Sequence, residues 1–188
     1  MKHPRPPHHL ALLVVLGILG APELGANTPV NVDVEHGAHA YVVDATFDVN
    51  VPASLAWEVL TDYEGIGRFV SSIRQSTIRK REAGRVQLEQ HGVGRAWIVS
   101  LPMHVVLDVR EVDQRMLVFR DLCGKSFATY EGTWELAAID GGRTRVIYRL
   151  KADPNGRQPA LLARSAIRGS VRKLLDEVRT EILARAAR

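Results

Sequence analysis

The sequence predicts an α+β domain in which a curved antiparallel sheet wraps around one long C-terminal helix. Three observations carry this. Segments of alternating apolar and polar residues fill most of residues 71–152, with another at 41–51. The joins are short and turn-forming, as at Glu82-Ala-Gly-Arg85 and Asp140-Gly-Gly-Arg143, which is hairpin rather than crossover spacing. From Pro159 to about Ala186 no proline interrupts and Gly169 is the only glycine, while apolar residues recur every three or four.

Tyr41 to Val51 alternates cleanly, with Tyr41, Val43, Ala45, Phe47, Val49 and Val51 on one face. Pro52-Ala-Ser54 then opens a short helix, because proline is tolerated at a first turn. Leu55, Ala56, Val59 and Leu60 carry its apolar spacing, Asp62 and Gly65 close it, and Ile66 to Phe69 reads as one further helical turn. Strands follow at Ser72–Lys80, Val86–Val93, Ala96–Val112, Met116–Leu122, Phe127–Ala138 and Thr144–Ala152, with a turn expected at Gly94-Arg95. Pro102 cannot donate to a ladder, so a bulge or an edge is expected there. The stripe of the last helix is Ala160, Ala163, Ile167, Val171, Leu174, Val178 and Ile182. Gly169 and Ser170 leave room for a close approach or a ligand, or are simply tolerated.

The first 26 of the 188 residues read differently. A basic start, the ten-residue apolar run Leu10–Leu19, and small residues ending at Ala26 have the three parts of a secretory signal. The run is too short to span a bilayer, which needs about 20 apolar residues. The expected organisation is a signal peptide at 1–26, a polar lead-in at 27–40 and one domain at 41–187, secreted across an inner membrane into a periplasm. Cys123 is the only cysteine, so no intramolecular disulfide forms and stability must come from the core. Net charge is +4, with acids interleaved among the bases, which gives nucleic acid no support as a partner.

Three segments resemble the START-related (SRPBCC) superfamily of polyketide cyclases and dehydrases, lipid-transport-like proteins and coenzyme-Q-binding proteins. The first runs Val49-Asn-Val-Pro-Ala-Ser-Leu-Ala-Trp-Glu-Val-Leu-Thr-Asp-Tyr63. The second is Gly132-Thr-Trp-Glu-Leu136 followed by Gly142-Arg-Thr-Arg-Val-Ile-Tyr148, and the third is the terminal helix. The resemblance covers about residues 41–185. It implies a helix-grip fold with a hydrophobic cavity between sheet and helix, holding a hydrophobic small molecule or lipid. The alternative it implies is a polyketide cyclase or dehydratase-like enzyme using a polar residue in the same cavity.

No phosphate loop, paired cysteines, metal-ligand spacing or nucleophile motif is present, so no catalytic residue, metal or cofactor is assigned. His36 and His39 read as surface residues, and His91 and His104 fall in strands, where each is either a cavity base or a solvent-side residue. The expected cavity wall follows strand parity: Phe47, Trp97, Val99, Leu101, Met103, Tyr130, Trp134 and Tyr148. Ile167, Val171 and Leu174 close it from the helix. Arg164, Arg168, Arg172 and Arg179 follow one side of the helix stripe. They read as a solvated flank, with transient contact to a membrane surface as the alternative.

Overall fold

The computed structural model describes residues 29–37, 39–96, 99–155 and 160–188, and only the backbone of residues 95, 96, 99, 100 and 160–162. The expected signal segment, 1–26, lies outside the described residues. Among the described residues eight strands form one sheet: β1 (Asn31–His36), β2 (Tyr41–Val49), β3 (Ile73–Glu82), β4 (Arg85–Ala96), β5 (Val99–Val112), β6 (Met116–Asp121), β7 (Phe127–Ile139) and β8 (Arg143–Pro154). Their order is β1-β2-β8-β7-β6-β5-β4-β3, and each neighbouring pair is antiparallel. Helix α1 (Ala53–Leu60) and a 3₁₀ turn (Ile66–Arg68) link β2 to β3, and helix α2 (Ala160–Ala186) ends the chain. This is the helix-grip arrangement.

Register sorts the residues by face. Phe47 lies opposite Val146, Val86 opposite Val109, and Leu88 opposite Leu107, and these apolar pairs form the inner face that α2 covers. The outer face carries opposite charges across neighbouring strands. Asp48 faces Arg145 and takes a two-pronged hydrogen bond from it at 2.7 and 2.9 Å, and Asp44 faces Arg149. From α2, Ala163, Val171, Leu175, Val178 and Ile182 are buried. Leu175, one residue beyond the expected stripe position Leu174, is the more deeply covered of the two.

Curvature needs glycine where backbones close in. At Gly132 in β7 a Cβ would overlap the carbonyl oxygen of Arg149 in β8 and the ring of Phe119 in β6. Gly92 in β4 is packed the same way against the Ser72 carbonyl oxygen.

Two local features differ from the sequence expectation, and a third settles which of two expected outcomes holds. Asn31–His36, within the polar lead-in, pairs with β2 as the edge strand β1, because Val30, Val32 and Val34 alternate with polar residues and turn inward. No turn forms at Gly94-Arg95, because β4 runs on to Ala96 in unbroken register with β5. Pro102 sits on an edge with no bulge: β6 pairs β5 only from Leu107 onward, so nothing on that side asks Pro102 for a donor.

Candidate functional site

The inner face of β5–β8 carries a group of aromatic rings. Trp134 and Tyr148 are directly opposite one another, with centroids 4.4 Å apart. Phe119 lies 5.7 Å from Tyr130 and 6.3 Å from Tyr148. Phe127 stacks on Tyr130 at 4.5 Å. Phe127 differs in parity from Tyr130 and would face outward on a regular strand. A bulge between Phe127 and Thr129 turns it inward.

Tyr148 is buried, whereas Tyr130, Trp134, Phe127, Met103, Ile167 and Leu174 stay partly exposed although they pack against the core cluster. Apolar side chains that keep open surface offer area that a bound apolar molecule would cover. The Tyr130 and Tyr148 hydroxyls are hydrogen-bonded to each other. Burial pushes both above the ordinary phenol value, and the Tyr130 side chain adds to the rise at Tyr148. Both therefore stay neutral near pH 7, as donors and acceptors rather than bases.

Other polar groups at this face are already engaged. Buried Gln90 donates from Nε2 to Ser76 Oγ at 3.1 Å. Asp121 receives the backbone N–H groups of Val106, Cys123 and Gly124 at 2.8, 3.1 and 3.0 Å. Burial alone would raise its carboxyl, but these donors outweigh it and hold the carboxyl low. Cys123 sits in this loop, its Sγ 3.7 Å from Asp121 Oδ2 and from the His104 carbonyl oxygen.

Of the expected wall, Trp134 packs on Tyr148, Tyr130 and Tyr148 both lie beside Phe119, and Met103, Ile167 and Leu174 pack partly buried against the core. Phe47 and Val171 are packed as core. Leu101 is 42% exposed and stands outside the cluster. Trp97 lies outside the described residues, and Val99 is described by its backbone alone. Phe119 and Phe127 join the site without having been read from the sequence.

His91 and His104 face outward, opposite one another on β4 and β5 with rings stacked at 4.2 Å, so neither enters the inner space. Loss of water contact, then the charges of Lys125 and His91, hold His104 below the usual imidazole value.

The arginines of α2 divide. Arg164 donates to the Val34 carbonyl oxygen at 2.7 Å, and Arg168 reaches Asp33 at 3.4 Å. Arg179 pairs with Asp176 at 3.0 Å. Exposed Arg172 lines a groove of about 530 Å³ between this flank and Phe69, together with Gly169 and Lys173. Gly169 has open space around it, so it brings nothing closer to the sheet. Among the described residues no helix is long and apolar enough to cross a membrane.

The family model for polyketide cyclase / dehydrase and lipid transport matches residues 41–182. The chain belongs to this family. Solved structures of the START superfamily share its fold. The STAR-related lipid transfer protein from Xanthomonas axonopodis is 17% identical, with a TM-score of 0.68 over 81% of this chain and 93% of its own. The Zhui aromatase/cyclase from Streptomyces is 19% identical, with a TM-score of 0.65 over 79% and 96%. The protein TTHA0849 from Thermus thermophilus is 19% identical, with a TM-score of 0.65 over 76% and 97%. No curated protein matches the sequence. The family's description spans polyketide cyclisation and lipid transport, so membership shows the fold and suggests hydrophobic-ligand binding or cyclase-like function.

Proposed function

We propose that this family member is an exported binding protein that holds a hydrophobic small molecule or lipid between the inner face of the sheet and α2. The observation that carries the reading is the set of apolar side chains that stay partly open while packing against the core, with Tyr130 and Trp134 among them beside buried Tyr148. The apolar surface offers about 25 cal/mol per Å² of ligand buried. The hydroxyl pair gives a carbonyl, hydroxyl or quinone oxygen one anchoring point. Export rests on the N-terminal segment, and transient contact with a membrane surface on the exposed flank around Arg172.

The cyclase-like reading needs a base or acid facing the same space. The groups described there are two tyrosines held neutral, a hydrogen-bonded glutamine and serine, and Asp121 committed to backbone donors. This favours binding over chemistry. Native mass spectrometry of protein collected after export, with organic extraction of what travels with it, tests the proposal. A discrete hydrophobic species is expected, and Leu174→Trp, which fills the space, should exclude it while the circular dichroism of the fold is retained. An apo mass, together with failure to take up a fluorescent lipid probe, would overturn the carrier reading.

A further inference from the structure

We propose that Glu89, His91 and His104 form a binding site for a zinc-class divalent cation on the outer face of the sheet. The site is built by register. Glu89 and His91 are two residues apart on β4 and therefore share a face, and His104 on β5 is paired directly with His91. Glu89 Oε1 lies 2.9 Å from His104 Nε2 and 3.4 Å from His91 Nε2. One ligand atom from each of the three residues lies within 4.8 Å of the others. Donors held tetrahedrally about 2.0–2.1 Å from one zinc ion stand about 3.3 Å apart, so the two measured separations bracket what an ion asks for.

The surroundings fix this geometry. Arg79 takes Glu89 Oε2 and leaves Oε1 turned toward the two imidazoles. Such an outer hydrogen bond orients a ligating carboxylate. Glu89 and His104 are largely covered, whereas His91 is about half exposed, so an ion enters from the solvent side and keeps an open coordination position there. Two imidazole nitrogens and one carboxylate oxygen suit Zn²⁺, Cu²⁺ or Ni²⁺ better than the all-oxygen preference of Ca²⁺ or Mg²⁺. The site stands apart from the inner face and does not depend on the carrier reading. By bridging β4 and β5 it would clamp the two strands to one another.

The test is calorimetric titration of Zn²⁺ into the full chain, whose other histidines supply a background that variants leave untouched. His91→Ala and His104→Ala should each remove one Zn²⁺ equivalent, or weaken it about tenfold or more, and Glu89→Gln should do likewise. Co²⁺ in place of Zn²⁺ should give a visible absorption band that the same variants lose. His91 is a surface residue, so His91→Ala keeps the test decisive if His104→Ala fails to fold. Equal stoichiometry and affinity in the wild type and His91→Ala would overturn the proposal.

Discussion

Arg185 in the last turns of α2 donates to Asp62 Oδ2, in the loop after α1, at 2.6 Å. Arg185 also donates to Glu181 at 2.8 Å and lies over the Phe69 ring at 5.8 Å. Asp62 in turn accepts the Gly65 N–H at 3.1 Å. One guanidinium thus fixes the loop after α1 against the terminal helix.

Removing that guanidinium should loosen the loop. Arg185→Ala is expected to cost on the order of 1 kcal/mol, or about 2–4 °C in Tm for a chain of this size. Burial would raise the Asp62 carboxyl, but the hydrogen bond and charge of Arg185 hold it below the ordinary aspartate value. The pair's stabilisation is therefore full above about pH 4 and is lost as pH falls through the lowered folded value. Thermal melts of wild type and variant should differ near neutral pH and converge in acid. A constant gap down to acid pH would exclude Asp62 as the partner that matters.

Two glycine-to-alanine changes should move stability in opposite directions. Gly132→Ala places a methyl group against the Arg149 carbonyl oxygen and should cost about 1–3 kcal/mol or more. Gly169→Ala meets open space on an exposed helix position and should gain about 0.5–1 kcal/mol from helix propensity. Urea unfolding of the two variants decides this, and a neutral Gly132→Ala would mean that β7 and β8 do not approach there as described.

Alkaline titration probes the interior. Tyr63, Tyr130 and Tyr148 all have hydroxyls raised by burial, reinforced at Tyr63 by Glu111, which accepts its O–H at 2.9 Å. Their contribution to stability is present below the ordinary phenol value of about 10 and is lost as pH rises toward the folded values. Phenolate absorbance should therefore show these three ionising together with unfolding. Smooth ionisation of all four tyrosines around pH 10, with the fold intact, would rule out the buried hydroxyl pair.

Much of this was legible in the sequence, for physical reasons that particular residues make plain. Alternation placed Tyr130, Trp134 and Tyr148 on one face, and the sheet kept it because a one-residue slip would expose the whole row. Phe127 was not legible, because a single bulge reverses parity and no residue type marks it. Strand β1 was masked by its polar side chains, although Val30, Val32 and Val34 carried the period. Glu89 and His91 could be placed on one face from spacing alone. That His104 meets them depended on the β4–β5 register, which runs on through the turn expected at Gly94-Arg95 to Ala96.

An open sheet has two rims along which another chain could add a strand, and here both are closed to that. On β1, the Val34 N–H is taken by Asp33 Oδ1 at 2.9 Å and the Val34 carbonyl oxygen by Arg164. On β3, two register shifts break the line of free backbone groups, and Arg79, Lys80, Arg81 and Glu82 crowd its far end with charge. The arginine that the sequence placed on a solvated helix flank therefore acts as a stopper against polymerisation. At the Val34 position of β1 the chain's own side chains thus hold the backbone groups that an added strand would pair with.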